Sequence, residues 1–172
     1  MVLTKEELIS GLQSEVRILV HLADKVDKSK LDYRPSPKQR STLELLRYMA
    51  IMGPTLLAVI KTGKFDQETM SSIWAPAEAA SKLMDFDQAV SAIQKQSGDY
   101  ERLLGAWPDA DFRLGMDMFG NKTTRGAIIV NLVLGGHAAY RTQLFCYLKS
   151  CGRDELSTMN LWAGADAAVP AA

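Results

Sequence analysis

RGAIIVNLVLGGHAAYRTQLFCYLKSCG, residues 125–152, carries no charge between Ala127 and Tyr140 and has apolar residues at every helical angle. Such a segment is enclosed on several sides, so it reads as the central helix of the fold. Thr123 or Thr124 is placed to cap its start, Lys149 lies in its last turn, and Gly152 suits the left-handed residue that stops it. His137, Tyr140, Arg141 and Leu144 stand at i, i+3, i+4 and i+7, a row of chemically equipped side chains along one face.

Three further amphipathic helices are needed to enclose it. Thr4-Lys5-Glu6-Glu7 is a capping box with Leu3 and Leu8 as its staple, and the stripe Leu8, Leu12, Val16, Leu19, Leu22, Ala23 and Val26 comes after it. Ser41-Thr42-Leu43-Glu44 is a second box, opening a helix to about Thr62 with Gly63 as its stop and Gly53-Pro54 as a kink. Leu43, Leu46, Met49, Ala50, Leu57 and Ile60 form its core side, and Tyr48 also lies on a largely apolar surface. A third stripe, Phe86, Val90, Ile93, Ser97, Tyr100, Leu104 and Trp107, begins near Asp85 and ends at Pro108. Residues 28–40, with Pro35 and Pro37, read as an irregular connection. Within 64–84, Pro76 is expected to open a short extra helix through about Leu83, in a lid or packing segment. Phe112, Leu114, Met116 and Met118 alternate with polar residues and Gly115, which fits a short extended segment. Four stripes with little strand signal predict an all-α four-helix bundle in one domain spanning 1–172, with a core over about 5–152 and a mobile tail over about 163–172.

Twenty basic residues balance twenty acidic ones, and no dense Lys/Arg run exists to track phosphates, so a nucleic-acid partner has no electrostatic support. The N-terminal residues lack the order of a signal peptide, and the longest uncharged stretch is too short and too broken by Gly and Asn for a membrane span. The expectation is a cytoplasmic protein with no membrane partner. Cys146 and Cys151, five apart on one helix, point about 140° apart and should stay reduced and unbridged. His21 flanks the first stripe with no partner at i±3 or i±4, which suits a packed or half-exposed histidine.

Three segments together resemble the DinB-like (YfiT-like) superfamily of four-helix-bundle metalloenzymes. Leu31-Asp32-Tyr33-Arg34-Pro35 is similar to that family's Pro-containing lead-in, and Ser41 through Tyr48 (STLELLRY) is similar to its S-x-x-E-L-L-x-H opening of helix 2. Tyr140 through Gly152 (YRTQLFCYLKSCG) resembles its H-R-G-Q-L-x-x-Y-L-R-x-x-G. The resemblance implies a bundle of DinB/YfiT type, a tendency to pair as a homodimer, and enzymes such as metal-dependent thiol transferases and small-molecule hydrolases or isomerases. It also implies a divalent metal held by one histidine on helix 2 and an H-x-x-x-H pair on the last helix. Those positions are Tyr48, Gly136 and Tyr140 here, and none is histidine. His137 stands one residue away, about 100° around the helix.

The site admits three readings. A metal-free pocket between helices 2 and 4 of the bundle, lined by Tyr48, His137, Tyr140 and Arg141, suits a small ligand with an anionic group and needs no cofactor. A rearranged zinc or nickel site would use His137 with His21 or a distant carboxylate, and would make the chain a metal-dependent enzyme. A structural or interaction homodimer would use the same side chains as an internal network, with Arg141 paired to a carboxylate. Counting ligands favours no stoichiometric metal, and the residues by themselves do not decide whether a reaction is catalysed.

Overall fold

A computed structural model describes residues 3–167. Four long helices pack as a bundle. Helix α1 (Lys5–Ala23) starts at the Thr4 capping box, where Thr4 Oγ1 accepts from Glu7 N–H and the Glu7 carboxylate accepts from Thr4 N–H. Helix α2 (Thr42–Thr62) starts at the matching Ser41 box and stops at Gly63, whose φ of 77° is the left-handed conformation expected there. Helix α3 (Gln67–Ser81) crosses outside the bundle against α2, and helix α4 (Phe86–Gly105), capped by Asp85, returns between α1 and α2. The chain then folds a hairpin of β1 (Gly115–Met118) and β2 (Asn121–Thr124) before the last long helix.

That last helix begins at Thr124, whose hydroxyl accepts from Ala127 N–H, and runs through α5 (Arg125–Ile128), a π-helical stretch (Ile129–Leu134) and α6 (Gly135–Ser150). Wider i→i+5 turns within a helix shift the angular register of the residues downstream, so a uniform 3.6-residue period does not give the face that α6 presents. Leu12, Leu19, Leu22, Leu45, Leu46, Met49, Leu57, Ile60, Ile93, Leu104, Ile129, Val133 and Leu144 form one buried core. Helix α2 is long and apolar enough to cross a membrane by composition, but 67% of its most apolar window is buried inside the bundle, which marks a core helix.

Two local expectations change. The extra helix is not opened by Pro76: it starts well before that proline, because the Asp66 carboxylate caps Thr69 N–H. Pro76 is accommodated inside it, where the carbonyl left without a donor belongs to exposed Ser72. The extended run near Met116 gains a partner strand, Asn121–Thr124, through a two-residue turn in which Phe119 and Gly120 have φ of 55° and 84°. Positive φ at both turn residues matches the right-handed twist of a hairpin. At the start of the expected tail, Arg17 donates to Ala163 O at 2.7 Å and Lys25 pairs with Asp166 at 2.7 Å. Residues 168–172, also part of the expected mobile tail, lie outside the described residues.

Candidate functional site

Along the seam between α2 and α6, Tyr48 and Met52 are one turn apart on one helix, and Gly136 and Tyr140 one turn apart on the other. The Tyr48 and Tyr140 rings meet edge to face at 4.8 Å, while a β-carbon at Gly136 would stand 3.0 Å from Met52 Sδ. The positions assigned to the metal by resemblance therefore face one another, but aromatic rings and a methionine fill the space. Phenols, a thioether and a glycine do not fit a zinc-type ion. Among the described residues, no three His, Cys, Asp or Glu side chains converge. Trp74 of α3 packs on Tyr48 at 5.7 Å, and the Arg40 guanidinium lies 4.0 Å over its ring. Burial first, and then the Tyr140 hydroxyl, push the Tyr48 phenol above its ordinary pKa, with Arg40 opposing. Tyr48 is a proton-bearing donor at neutral pH and a poor base.

His137 points about 100° away from this seam, into the bundle, and is fully buried. Its Nε2 meets the Tyr100 hydroxyl at 2.5 Å, and that hydroxyl also donates to Gln96 Oε1 at 3.0 Å. Gln96 Nε2 donates to Met49 O and Ala50 O, at 2.7 and 2.9 Å. The second contact has a specific cause: Pro54 has no N–H, so the Ala50 carbonyl loses its helical donor and the Gln96 amide replaces it. With the single Tyr100 proton directed to Gln96, the matching tautomer of His137 donates from Nε2, and Nδ1 has no hydrogen-bond partner among the described residues. Gly53 makes the arrangement sterically feasible, since a β-carbon there would overlap the Tyr100 hydroxyl oxygen and stand 3.1 Å from His137 Nε2.

Burial lowers the His137 pKa from 6.5 to about 4. The unfolded chain takes up this proton below pH 6.5 and the folded chain only near pH 4, so the histidine's contribution is complete above 6.5 and is lost as pH falls through that window. The loss should reach about 2 to 3 kcal/mol by pH 4.5. Glu15, whose pKa burial raises more than Arg141 lowers it, contributes in the opposite direction. Urea denaturation of the parent and of His137→Gln at pH 7.5 and 4.5 separates the two, because Glu15 is common to both. A parent no more acid-sensitive than the variant would show that no buried neutral imidazole underlies the acid sensitivity.

Arg141, 3% exposed, shares the inward face with His137 but turns toward α1. Its NH1 donates to Leu161 O at 2.8 Å, and its Nε stands 3.2 Å from Glu15 Oε2 without the alignment of a hydrogen bond. This is the carboxylate partner that an enclosed guanidinium requires. His21 Nε2 accepts from Asn160 Nδ2 at 3.1 Å, beside Asp166, so the two histidines go to different partners. The four residues expected around one pocket are thus distributed: Tyr48 and Tyr140 meet at the seam, His137 serves the interior network, and Arg141 anchors the C-terminal segment. Helical rotation is the reason, since 137 and 141 point inward when 136 and 140 face α2.

An open cleft lies beside Tyr48. About 380 Å³ is enclosed by the connection before α2, the first half of α2 and the end of α3, and five basic residues (Arg34, Lys38, Arg40, Arg47, Lys82) line it against Glu44 and Glu78. Of the four predicted site residues, only Tyr48 reaches it. Sequence reasoning missed the basic members and Gln96, yet each leaves a trace. Arg34, Lys38, Arg40 and Arg47 fall within fourteen positions of a chain with no net charge, and Gln96 interrupts an apolar stripe between Ile93 and Tyr100.

No family model matches the chain, and no curated protein matches it. Among solved structures it is similar to a DinB-like protein, YjoA, from Bacillus subtilis, with a TM-score of 0.64 and 20% identity over 87% of this chain and 94% of that one. The chain has the DinB-like fold.

Proposed function

We propose that this chain is a binding bundle that takes a small anionic molecule in the cleft beside Tyr48. The observation that carries the reading is the excess of five basic over two acidic side chains around that cleft, in a protein whose formal net charge is zero. Concentrated positive charge in a concave site attracts anions, and guanidinium forks match carboxylate and phosphate oxygens. A metal enzyme built on His137 has less support, because that imidazole is enclosed with Tyr100 and no group of three His, Cys, Asp or Glu side chains gathers among the described residues.

Calorimetric titration with citrate at low ionic strength tests the proposal. Binding is expected, and a hundredfold excess over Kd should stabilise the fold by about 2.7 kcal/mol. Arg40→Gln with Arg47→Gln should weaken binding at least about tenfold, the loss of charge-assisted bonds worth about 1.4 kcal/mol or more. His137→Gln should leave it unchanged, since His137 does not line the cleft. Absence of binding heat at millimolar citrate would overturn the reading.

A further inference from the structure

We infer that the cleft selects compact oxyanions carrying two or more negative charges, such as sulfate and phosphate monoesters, over carboxylate monoanions. This rests on the cleft being an anion site. The selectivity arises from which charges are already answered within the protein. Arg34 pairs with Glu44 at 3.3 Å and donates to Gln39 O, and Lys82 faces Glu78 at 3.7 Å. Glu44 has a further commitment, accepting from Ser41 N–H at 2.7 Å. Lys38, Arg40 and Arg47 have no ion pair among the described residues. Arg47 uses only Nε, donating to Met84 O at 2.6 Å, so its two terminal nitrogens are free of protein hydrogen bonds among those residues. One negative charge leaves most of that excess uncompensated, whereas a dianion with several oxygens can meet two forks and an ammonium together.

The aromatic surroundings argue for compactness. Tyr48 is the one aromatic side chain in the lining, and Arg40 covers a face of its ring at 4.0 Å while Tyr140 and Trp74 pack around it. A nucleobase would find no free ring to stack on, which also removes the usual platform for single-stranded nucleic acid. The ligand is therefore recognised by charge and oxygen geometry.

A phosphate monoester supplies a direct test, because its second proton leaves near pH 6. The cleft is lined by arginines, lysines, two glutamates and Tyr48, with no histidine or cysteine, and hydrogen bonding from Ser41 keeps the Glu44 pKa low. Calorimetry with glycerol phosphate should thus show about tenfold tighter binding at pH 7.5 than at pH 5, tracking the fraction of dianion. Sulfate, a dianion throughout, should bind equally at both and report that the cleft stays competent in acid. Acetate should bind at least tenfold more weakly than sulfate, and adenosine monophosphate no tighter than glycerol phosphate. Acetate equal to sulfate, or a flat glycerol phosphate profile, would overturn the selectivity while the anion site itself stands. Adenosine monophosphate ten times tighter than glycerol phosphate would overturn the compactness. Failure of every anion to bind would remove the inference together with the reading beneath it.

Discussion

Gly53→Ala should destabilise the fold by about 4 kcal/mol and lower the melting temperature by roughly 10 °C, although alanine is the better helix former. The added methyl cannot coexist with the Tyr100 hydroxyl, and the atom it meets is the tip of a buried ring held between Gln96 and His137. Moving that ring leaves Gln96 Oε1 and His137 Nε2 without partners, at about 1–3 kcal/mol for each buried group, against a propensity gain of about 1 kcal/mol. Gly98→Ala is the control: it lies in α4 with nothing within 4 Å of the new carbon, and should stabilise by up to about 1 kcal/mol. Tyr100→Leu completes a double-mutant cycle. Once the hydroxyl and the ring end are gone, Gly53→Ala should cost about 1–3 kcal/mol less than in the parent. Equal costs in both backgrounds would show that the overlap with Tyr100 is not what requires the glycine.

The second large effect is the creation of a metal site by Tyr48→His, Gly136→His and Tyr140→His. The paired positions across α2 and α6 bring residues 48 and 140 within ring contact and place 136 one turn from 140. Met52 occupies the remaining space, its Sδ and Cε standing 3.0 and 3.3 Å from where a Gly136 β-carbon would lie, so Met52→Ala should accompany the three substitutions. Losing the Tyr48 ring gives up its contacts with Arg40 and Tyr140, worth on the order of 1 kcal/mol each. Zinc at a hundredfold excess over Kd should return about 2.7 kcal/mol, raising the melting temperature by about 5–10 °C in the variant and leaving the parent unmoved. A folded variant with no zinc-dependent shift would mean that the three side chains do not converge.

Much of the bundle was legible because its signals are local. The Thr4 and Ser41 capping boxes, the Asp85 cap and the Gly63 stop bind atoms within a few residues of themselves, and each structural boundary falls there. Less local chemistry was harder to read. Asp66 capping a helix across Pro76, and the polar strand Asn121–Thr124, lacked apolar periodicity, and β2 exists only because β1 pairs with it. Gly53-Pro54 reads as a kink in the sequence, and both residues lie inside α2 (Thr42–Thr62). The glycine admits Tyr100, and Gln96 satisfies the carbonyl that the proline frees.

By itself the sequence determined four amphipathic stripes, their order, most of their ends and the all-α class, because each rests on intervals of three, four or seven residues along one helix. Only the tertiary structure decided which way those helices turn. A rotation of about 100° separates His137 in the core from Gly136 at the α2 seam, and a π-helical stretch upstream helps set that angle. The cleft is likewise a tertiary product: Lys82 at the far end of α3 comes beside Arg40 and Arg47 only after α3 packs against α2. Charge along a chain is visible in its letters, but the concavity that gathers it depends on how separate elements pack in space.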